Sequence, residues 1–219
     1  TLTTIPPSIG NLENIAMLYL NYNNLTSLPE EISNLTGLFY LILSFNQLTH
    51  LPENIGNLSM LNWLDAGYNS IEYLPDSIGN LSNMQYFWIF NNELSYLPES
   101  ICNLNVDWNG SDYNFLPYFG SGGNHLCDEL PECVENSTHL NGSIDPLYYS
   151  FYIEVEQECC GNADINQDTI VNVIDLVSLV NFILSEADIN ESTLCQYDIN
   201  DDDIVNVIDL VSLVSLILN

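Results

Sequence analysis

Apolar positions recur at one fixed interval through the first half of the chain, returning at Leu2, Leu25, Leu48, Ile71 and Leu94. The clearest copy spans residues 25–47, with copies in phase at 2–24, 48–70 and 71–93 and a degenerate one at 94–115. Three apolar rows run through the copies. One is Ile5, Leu28, Leu51, Leu74 and Leu97, the next is Ile9, Ile32, Ile55, Ile78 and Ile101, and the third is Leu12, Leu35, Leu58, Leu81 and Leu104. A short alternating run follows in each copy, as in Leu18 and Leu20, Leu41 and Leu43, Leu64 and Ala66, Phe87 and Ile89. Alternation with period two predicts a strand with one buried face. Pro6, Pro29, Pro52, Pro75 and Pro98 set φ where the chain turns back and no ladder donor is wanted. Asn23, Asn46, Asn69 and Asn92 follow each strand, placed so that a side-chain amide satisfies turn backbone groups that stacking would bury. One copy cannot bury its own apolar side, so the pattern predicts a solenoid.

The pattern LxxLPxxIxNLxxLxxLxLxxN closely resembles the leucine-rich repeat family over about half of the chain. That resemblance implies an α/β solenoid with a parallel β-sheet on its concave side, where partners usually bind. The outward strand positions are then Met17, Tyr19 and Tyr22; Tyr40, Ile42 and Phe45; Trp63, Asp65 and Tyr68; Tyr86, Trp88 and Phe90. An exposed aromatic surface of this density predicts a binding face for a glycan or a protein anchor, the partner including another copy of the chain. The competing expectation is that the rings pack on one another along the sheet as cross-strand pairs.

Composition sharpens the picture. The chain carries 30 Asp plus Glu and no Lys or Arg, for a formal net charge of −30. An ordinary chain of this length carries roughly two dozen basic residues. Nothing neutralises phosphates, so no nucleic-acid partner is expected. Cations, backbone donors or water must meet the carboxylates. A chain without Lys or Arg offers no site to proteases that cut after basic residues, which suits an extracellular or cell-surface protein. With 47% hydrophobic residues over 219 positions there is material for a solenoid plus one small domain. No apolar run reaches membrane-spanning length, so no membrane insertion is expected. The first residues already lie inside a repeat and no leader is visible; an uncapped first copy predicts either that a preceding segment was removed or that another molecule covers that end.

After residue 115 the period fails. Residues 116–134 read as a disulfide-tied cap and resemble the caps that close extracellular leucine-rich repeat domains. Six cysteines, Cys102, Cys127, Cys133, Cys159, Cys160 and Cys195, predict an oxidising compartment and allow fifteen connectivities. The expected pairing is Cys127 with Cys133, Cys102 with one of Cys159 and Cys160, and the other of those two with Cys195. No CxxC or clustered His supports zinc. Residues 135–160 read as a linker whose LYYSFYIEV run predicts a strand or hairpin arm, paired with a sheet edge of this solenoid or of a neighbour.

The final segment, 161–219, is duplicated: DINQDTIVNVIDLVSLVNFIL from Asp164 recurs as DINDDDIVNVIDLVSLVSLIL from Asp198. Oxygen donors fall at loop positions 1, 3, 5, 9 and 12, namely Asp164, Asn166, Asp168, Asn172 and Asp175, then Asp198, Asn200, Asp202, Asn206 and Asp209. Ile170 and Ile204 would supply backbone carbonyls at position 7. This spacing converges oxygens on a hard cation, which predicts two calcium sites. Loop then helix, twice, resembles the dockerin family of paired calcium modules, implying a small all-α domain that binds a cohesin-like partner through its helices. Departures are Thr169 and Asp203 where EF-type loops carry Gly, and the absence of the Lys or Arg that often follows the contact positions, here Val173, Ile174, Val207 and Ile208. The helix pair could instead dock on the solenoid or on a neighbouring subunit.

Eight Asn-x-Ser/Thr sequons occur, and those expected in loops, Asn109, Asn136, Asn141 and Asn190, are the better glycan acceptors. No nucleophile–base pair or phosphate-cradling loop emerges, and no enzyme is expected. The sequence therefore predicts a secreted or cell-surface, non-enzymatic assembly protein, a calcium-stabilised subunit of a fibre or surface layer. The alternative is a monomeric adhesin or receptor-like module that binds a glycan or a foreign protein on its concave face.

Overall fold

The computed structural model describes residues 1–127, 130–157, 163, 165–166, 170–185, 197–200 and 204–218. The chain divides into two compact units, Thr1–Glu158 and Cys159–Asn219.

The first unit is a solenoid built on a five-stranded parallel sheet, β1 (Met17–Tyr19), β2 (Tyr40–Ile42), β3 (Trp63–Asp65), β4 (Tyr86–Trp88) and β5 (Phe119–Gly120), in sequential order. Met17, Tyr40, Trp63 and Tyr86 are paired in register, so each sequence repeat advances the sheet by one strand. Short 3-10 turns form the opposite side of each coil; four of the five begin directly after the repeat proline, whose φ near −70° and extended ψ aim the chain into the turn. Leu41, Leu64 and Phe87, central in their strands, are fully buried with the leucine and isoleucine rows in one continuous core.

The asparagines act as expected. Asn69 accepts from Leu48 N at 3.0 Å and donates to the carbonyls of Leu43 and Ala66 at 3.2 and 3.1 Å, tying two successive coils. Asn46 and Asn92 repeat that pattern. The residue before each asparagine is left-handed: Tyr22, Phe45, Tyr68 and Asn91 have φ of 51–57°, and Gly123 follows with φ 68°. Side chains with a Cβ adopt this region only at a cost, so the turn geometry is imposed by the stack.

The fifth repeat corrects the boundary expected at residue 115. β4 pairs with β5 through Phe87↔Phe119, a longer step than the repeat supplies, and Asn124 fills the ladder slot by donating to Ile89 O at 3.0 Å and accepting from Leu94 N. An insertion before β5 displaced the strand and hid it from a fixed-period reading. The disulfide pairing is corrected too. Cys102, in the fifth 3-10 turn, is bonded to Cys133 in α1 (Glu132–Glu135), not Cys127 to Cys133. The turn and α1 pack together, with Val134 in the core, and bring Cys102 and Cys133 to a Cα separation of 5.6 Å. Cys127 is also disulfide-bonded, while Cys159, Cys160 and Cys195 lie outside the described residues.

The stretch expected as a linker belongs to the first unit up to its last described residue, Gln157. It forms an antiparallel hairpin, β6 (Gly142–Ile144) with β7 (Tyr152–Glu154). Gly122 N donates to Gly142 O at 2.9 Å and Gly123 N to Val155 O at 3.1 Å, fixing the hairpin beside β5. Any Cβ on Gly122 would collide with the carbonyl oxygens of Asn141 and Val155, so glycine is required for this approach.

The second unit contains, among the described residues, two helices, α2 (Val173–Leu184) and α3 (Val207–Leu218). Leu179 and Leu213, the same position in the two copies, are fully buried together with Ala163 and Ile165. The paired Leu176 and Leu210, and Ile183 and Ile217, pack around them. No helix among the described residues is long and apolar enough to cross a membrane.

Candidate functional site

Three rows of side chains rise from the outer face of the solenoid sheet. In the first, Trp63 stacks on Tyr86 at 4.1 Å and tilts against Tyr40 at 5.8 Å. In the third, the left-handed slot aligns Tyr22, Phe45 and Tyr68 as a stacked ladder with spacings of 4.4 and 4.5 Å. Ring-on-ring packing along the sheet, the competing expectation, is therefore present. The middle row holds Tyr19, Ile42, Asp65 and Trp88.

Exposure falls steeply from β1 to β4. Met17 and Tyr22 are exposed and Tyr19 is 61% accessible; Tyr40, Ile42, Phe45, Trp63, Tyr68 and Tyr86 are partly buried; Trp88 is 2% accessible. Trp88 thus departs from the exposed surface expected of it, because two later segments lie over β4. Trp88 Nε1 donates to Pro117 O at 2.8 Å, and Tyr86 OH to Asp112 Oδ2 at 3.1 Å. On the hairpin side Tyr68 OH donates to Ile144 O at 2.7 Å and Asn91 Nδ2 to Ser143 Oγ at 2.7 Å. Phe90 departs further: it is fully buried against Trp88 and Ile144. Counting in steps of two from Tyr86 leads to Phe90, but the slot matching Tyr22, Phe45 and Tyr68 is Asn91, because the left-handed residue breaks the alternation.

Where covering begins, a cleft of about 280 Å³ opens between Tyr19 and Tyr40 on one side and Trp88 and Tyr149 on the other. Trp63 and Asp65 also line it. Asp65 is 1% accessible, yet has a complete set of donors: Ser44 Oγ at 2.8 Å, Tyr149 OH at 2.9 Å to each oxygen, and Gly67 N at 3.1 Å. Burial pushes its pKa up to about 6, the three donors partly holding it down. Tyr149 is pushed well above the usual tyrosine range by burial and by the Asp65 charge. Trp63 Nε1 is buried in the cleft wall with no acceptor among the described residues. Tyr149 was absent from the sequence-derived site; its only signal was the aromatic run LYYSFYIEV, which does not say where those rings go.

The twin C-terminal loops are the second candidate. Asp164, Asp168 and Asp202 lie outside the described residues. Of the others, Asp175 and Asp209 are fully buried. Each draws its loop around it: Asp175 accepts from Asn166 N at 3.1 Å and Asn172 N at 2.8 Å, and Asp209 from Ile199 N at 2.8 Å and Asn206 N at 2.6 Å. Asn172 and Asn206 cap their helices by accepting from Ile174 N and Ile208 N, each at 2.8 Å, and donate to Ile170 O and Ile204 O, each at 2.9 Å. Positions 7, 9 and 12 are thus drawn together in both copies, and Asp198 is buried at position 1 of the second. Backbone N–H groups meet both buried carboxylates; the side-chain and carbonyl oxygens gathered in each loop, on a chain without Lys or Arg, are of the donor type a hard divalent cation takes. Among the described residues no three His, Cys, Asp or Glu side chains converge. Val173, Ile174, Val207 and Ile208, the expected contact positions, are exposed.

Of the expected glycan acceptors, Asn109 and Asn136 are exposed and Asn141 is partly buried; Asn190 lies outside the described residues.

Residues 1–48 match the family model described as leucine rich repeat. Over that stretch, and in its strand-by-strand parallel sheet, the solenoid unit resembles leucine-rich repeat proteins. Its solved likenesses include a TDR receptor (TM-score 0.52, 26% identity, 63% of this chain and 23% of that one). The leucine-rich repeat ectodomain of the receptor kinase GASSHO1/SCHENGEN3 from Arabidopsis thaliana matches with TM-score 0.49 and 28% identity, over 63% of this chain and 19% of that one. A plant ice-binding protein matches with TM-score 0.49 and 25% identity, over 62% and 42%. The chain therefore spans less than half of the length of each. No curated protein sequence matches it.

Proposed function

We propose that this chain is an extracellular interaction protein whose partner docks on the β1–β3 part of the concave sheet, beside the Asp65 cleft. The single observation behind this reading is the gradient of exposure: the covering segments seal β4 but leave Tyr19 and Tyr22 open next to a recessed, ligand-sized space. The Cys102–Cys133 disulfide suits an oxidising compartment. The test is photo-crosslinking from position 19 in the extracellular fraction of the source organism, with position 99, an exposed site elsewhere on the solenoid, as control. A discrete protein adduct from position 19 alone is expected; equal labelling from both positions would sink the reading.

A second reading, the calcium-stabilised assembly subunit, is favoured by one observation. The exposed Val173, Ile174 and Val177 of α2 recur as exposed Val207, Ile208 and Val211 on α3. In this reading the cation is held by the paired loops, including Asn166, Asn172, Asp175, Asp198, Asn200, Asn206 and Asp209, and sets the helices for docking a cohesin-like module or a second copy. Sedimentation with calcium, then with chelator, tests it: calcium-dependent oligomers that disappear in V173D/V207D support self-assembly, and a monomer in both conditions rejects it.

A further inference from the structure

The cleft beside β3 combines a carboxylate with ring faces, and the charge of the chain indicates what such a combination selects. Asp65 is the one carboxylate among the outward strand positions and is almost completely removed from solvent. A buried carboxylate is costly unless a charge or donors compensate it. Here the donors are neutral hydroxyls and one backbone amide, and no Lys or Arg exists in the chain to supply a counter-charge. Tyr19, Tyr40, Trp63 and Tyr149 line the space in front of it. The faces of such rings carry negative potential and attract cations, most strongly where water is displaced. With a net charge of −30, the whole surface also draws a positively charged molecule toward the cleft.

We propose that this cleft receives a lysine ammonium or arginine guanidinium presented by the partner polypeptide, held on the ring faces of Tyr40 and Trp63 and balanced by Asp65. The proposal rests on the docking reading above and names what that partner presents. A neutral sugar fits less well. It would need free acceptors at the cleft floor as well as the one donor there that is unpartnered among the described residues, Trp63 Nε1, and both Asp65 oxygens already accept from Ser44, Tyr149 and Gly67. A cation needs no vacant lone pair, because its attraction to the rings and to the carboxylate acts through space in a low-dielectric recess.

Titration of the full chain with Nα-acetyl-arginine amide and Nα-acetyl-lysine amide, followed by calorimetry at physiological salt, tests this. Saturable one-to-one binding is expected, with the citrulline amide, a neutral isostere of the arginine probe, failing to bind. D65N should weaken the cationic probes about tenfold, and Y40L, which keeps the carboxylate and removes a ring face, severalfold. E99Q removes an exposed charge elsewhere and should leave the affinity unchanged. Equal weakening by E99Q and D65N would reduce the effect to general attraction to an acidic surface. Equal affinity for the citrulline amide, or tighter binding of a neutral oligosaccharide, would overturn the cationic assignment. Either result, obtained while crosslinking from position 19 remains specific, overturns the ligand class and leaves the docking reading standing. Loss of that specificity with cationic binding intact does the reverse.

Discussion

Tyr19 on β1 and Trp88 on β4 occupy the same slot of the same repeat, three copies apart, and the backbone holds both on the outer face of the sheet. One is 61% accessible and the other 2%. Nothing in the repeat accounts for that difference; it comes from the loop that reaches Pro117 and from the hairpin after α1, which fold back over the last strands. Periodicity thus determines which way a side chain points. What comes to lie above it depends on segments with no period at all. The boundary between the covered and open parts is where the cleft forms, with Asp65 at its edge.

The contrast is sharpest by truncation. Trp88→Ala should cost about 3–5 kcal/mol, because it empties a packed site and leaves Pro117 O without its donor, whereas Tyr19→Ala should cost under about 1 kcal/mol. Urea unfolding of the two variants measures both; comparable losses would mean that β1 is as covered as β4. A second break uses pH. Asp65 has its pKa raised from the ordinary 3.8 to about 6 by burial, so the folded state binds the proton more tightly than the unfolded one. The stability this group withholds is recovered as pH falls through 6 toward 3.8, and nothing more is gained below that. The swing is about 3 kcal/mol. Other carboxylates superimpose their own dependence, so the test is the difference between wild type and Asp65→Asn, which should vary between pH 7 and pH 4 and be flat below. A parallel pair of curves would place Asp65 in solvent.

Smaller effects refine the covering itself. Tyr149→Phe removes the hydroxyl that reaches both Asp65 oxygens and should cost about 1–3 kcal/mol at pH 8, less at pH 5 where the carboxyl is protonated. An equal cost at both pH values would show that the hydroxyl serves packing rather than the charge. Smallest is the ladder: Phe45→Ala should cost about 1 kcal/mol, because two stacked faces are lost at a half-open position. A loss as large as that of Trp88→Ala would show that the ladder, not the covering, organises this face.

These contrasts also mark how far the sequence could be read. The leucine and isoleucine rows, the prolines and the asparagines each have one local task, so spacing alone located the coils through β4. Asn124 performs the same task in the fifth coil but stands well past the slot that one more repeat after Asn92 would give, and a fixed period passed over it. Phe90 was misplaced because alternation was extended through a residue whose left-handed backbone ends it. Cys102 and Cys133 are far apart in the chain, and only the packing of α1 against the fifth turn selects that pair. Tyr149 reaches Asp65 from a segment several coils later, a closure for which linear sequence carries no marker. In the C-terminal unit the duplication made the helices and their buried Leu179 and Leu213 legible. Asp175 and Asp209 are buried, each accepting from backbone N–H groups of its own loop.

The asparagine ladder has a mechanical corollary. Each rung links a coil only to its immediate neighbour through hydrogen bonds. Tension along the stack loads the rungs in series, so coils would detach singly, each yielding at low force. The Cys102–Cys133 bond interrupts the series: at that end the load passes into a covalent link, and extension stops there unless a reductant is present.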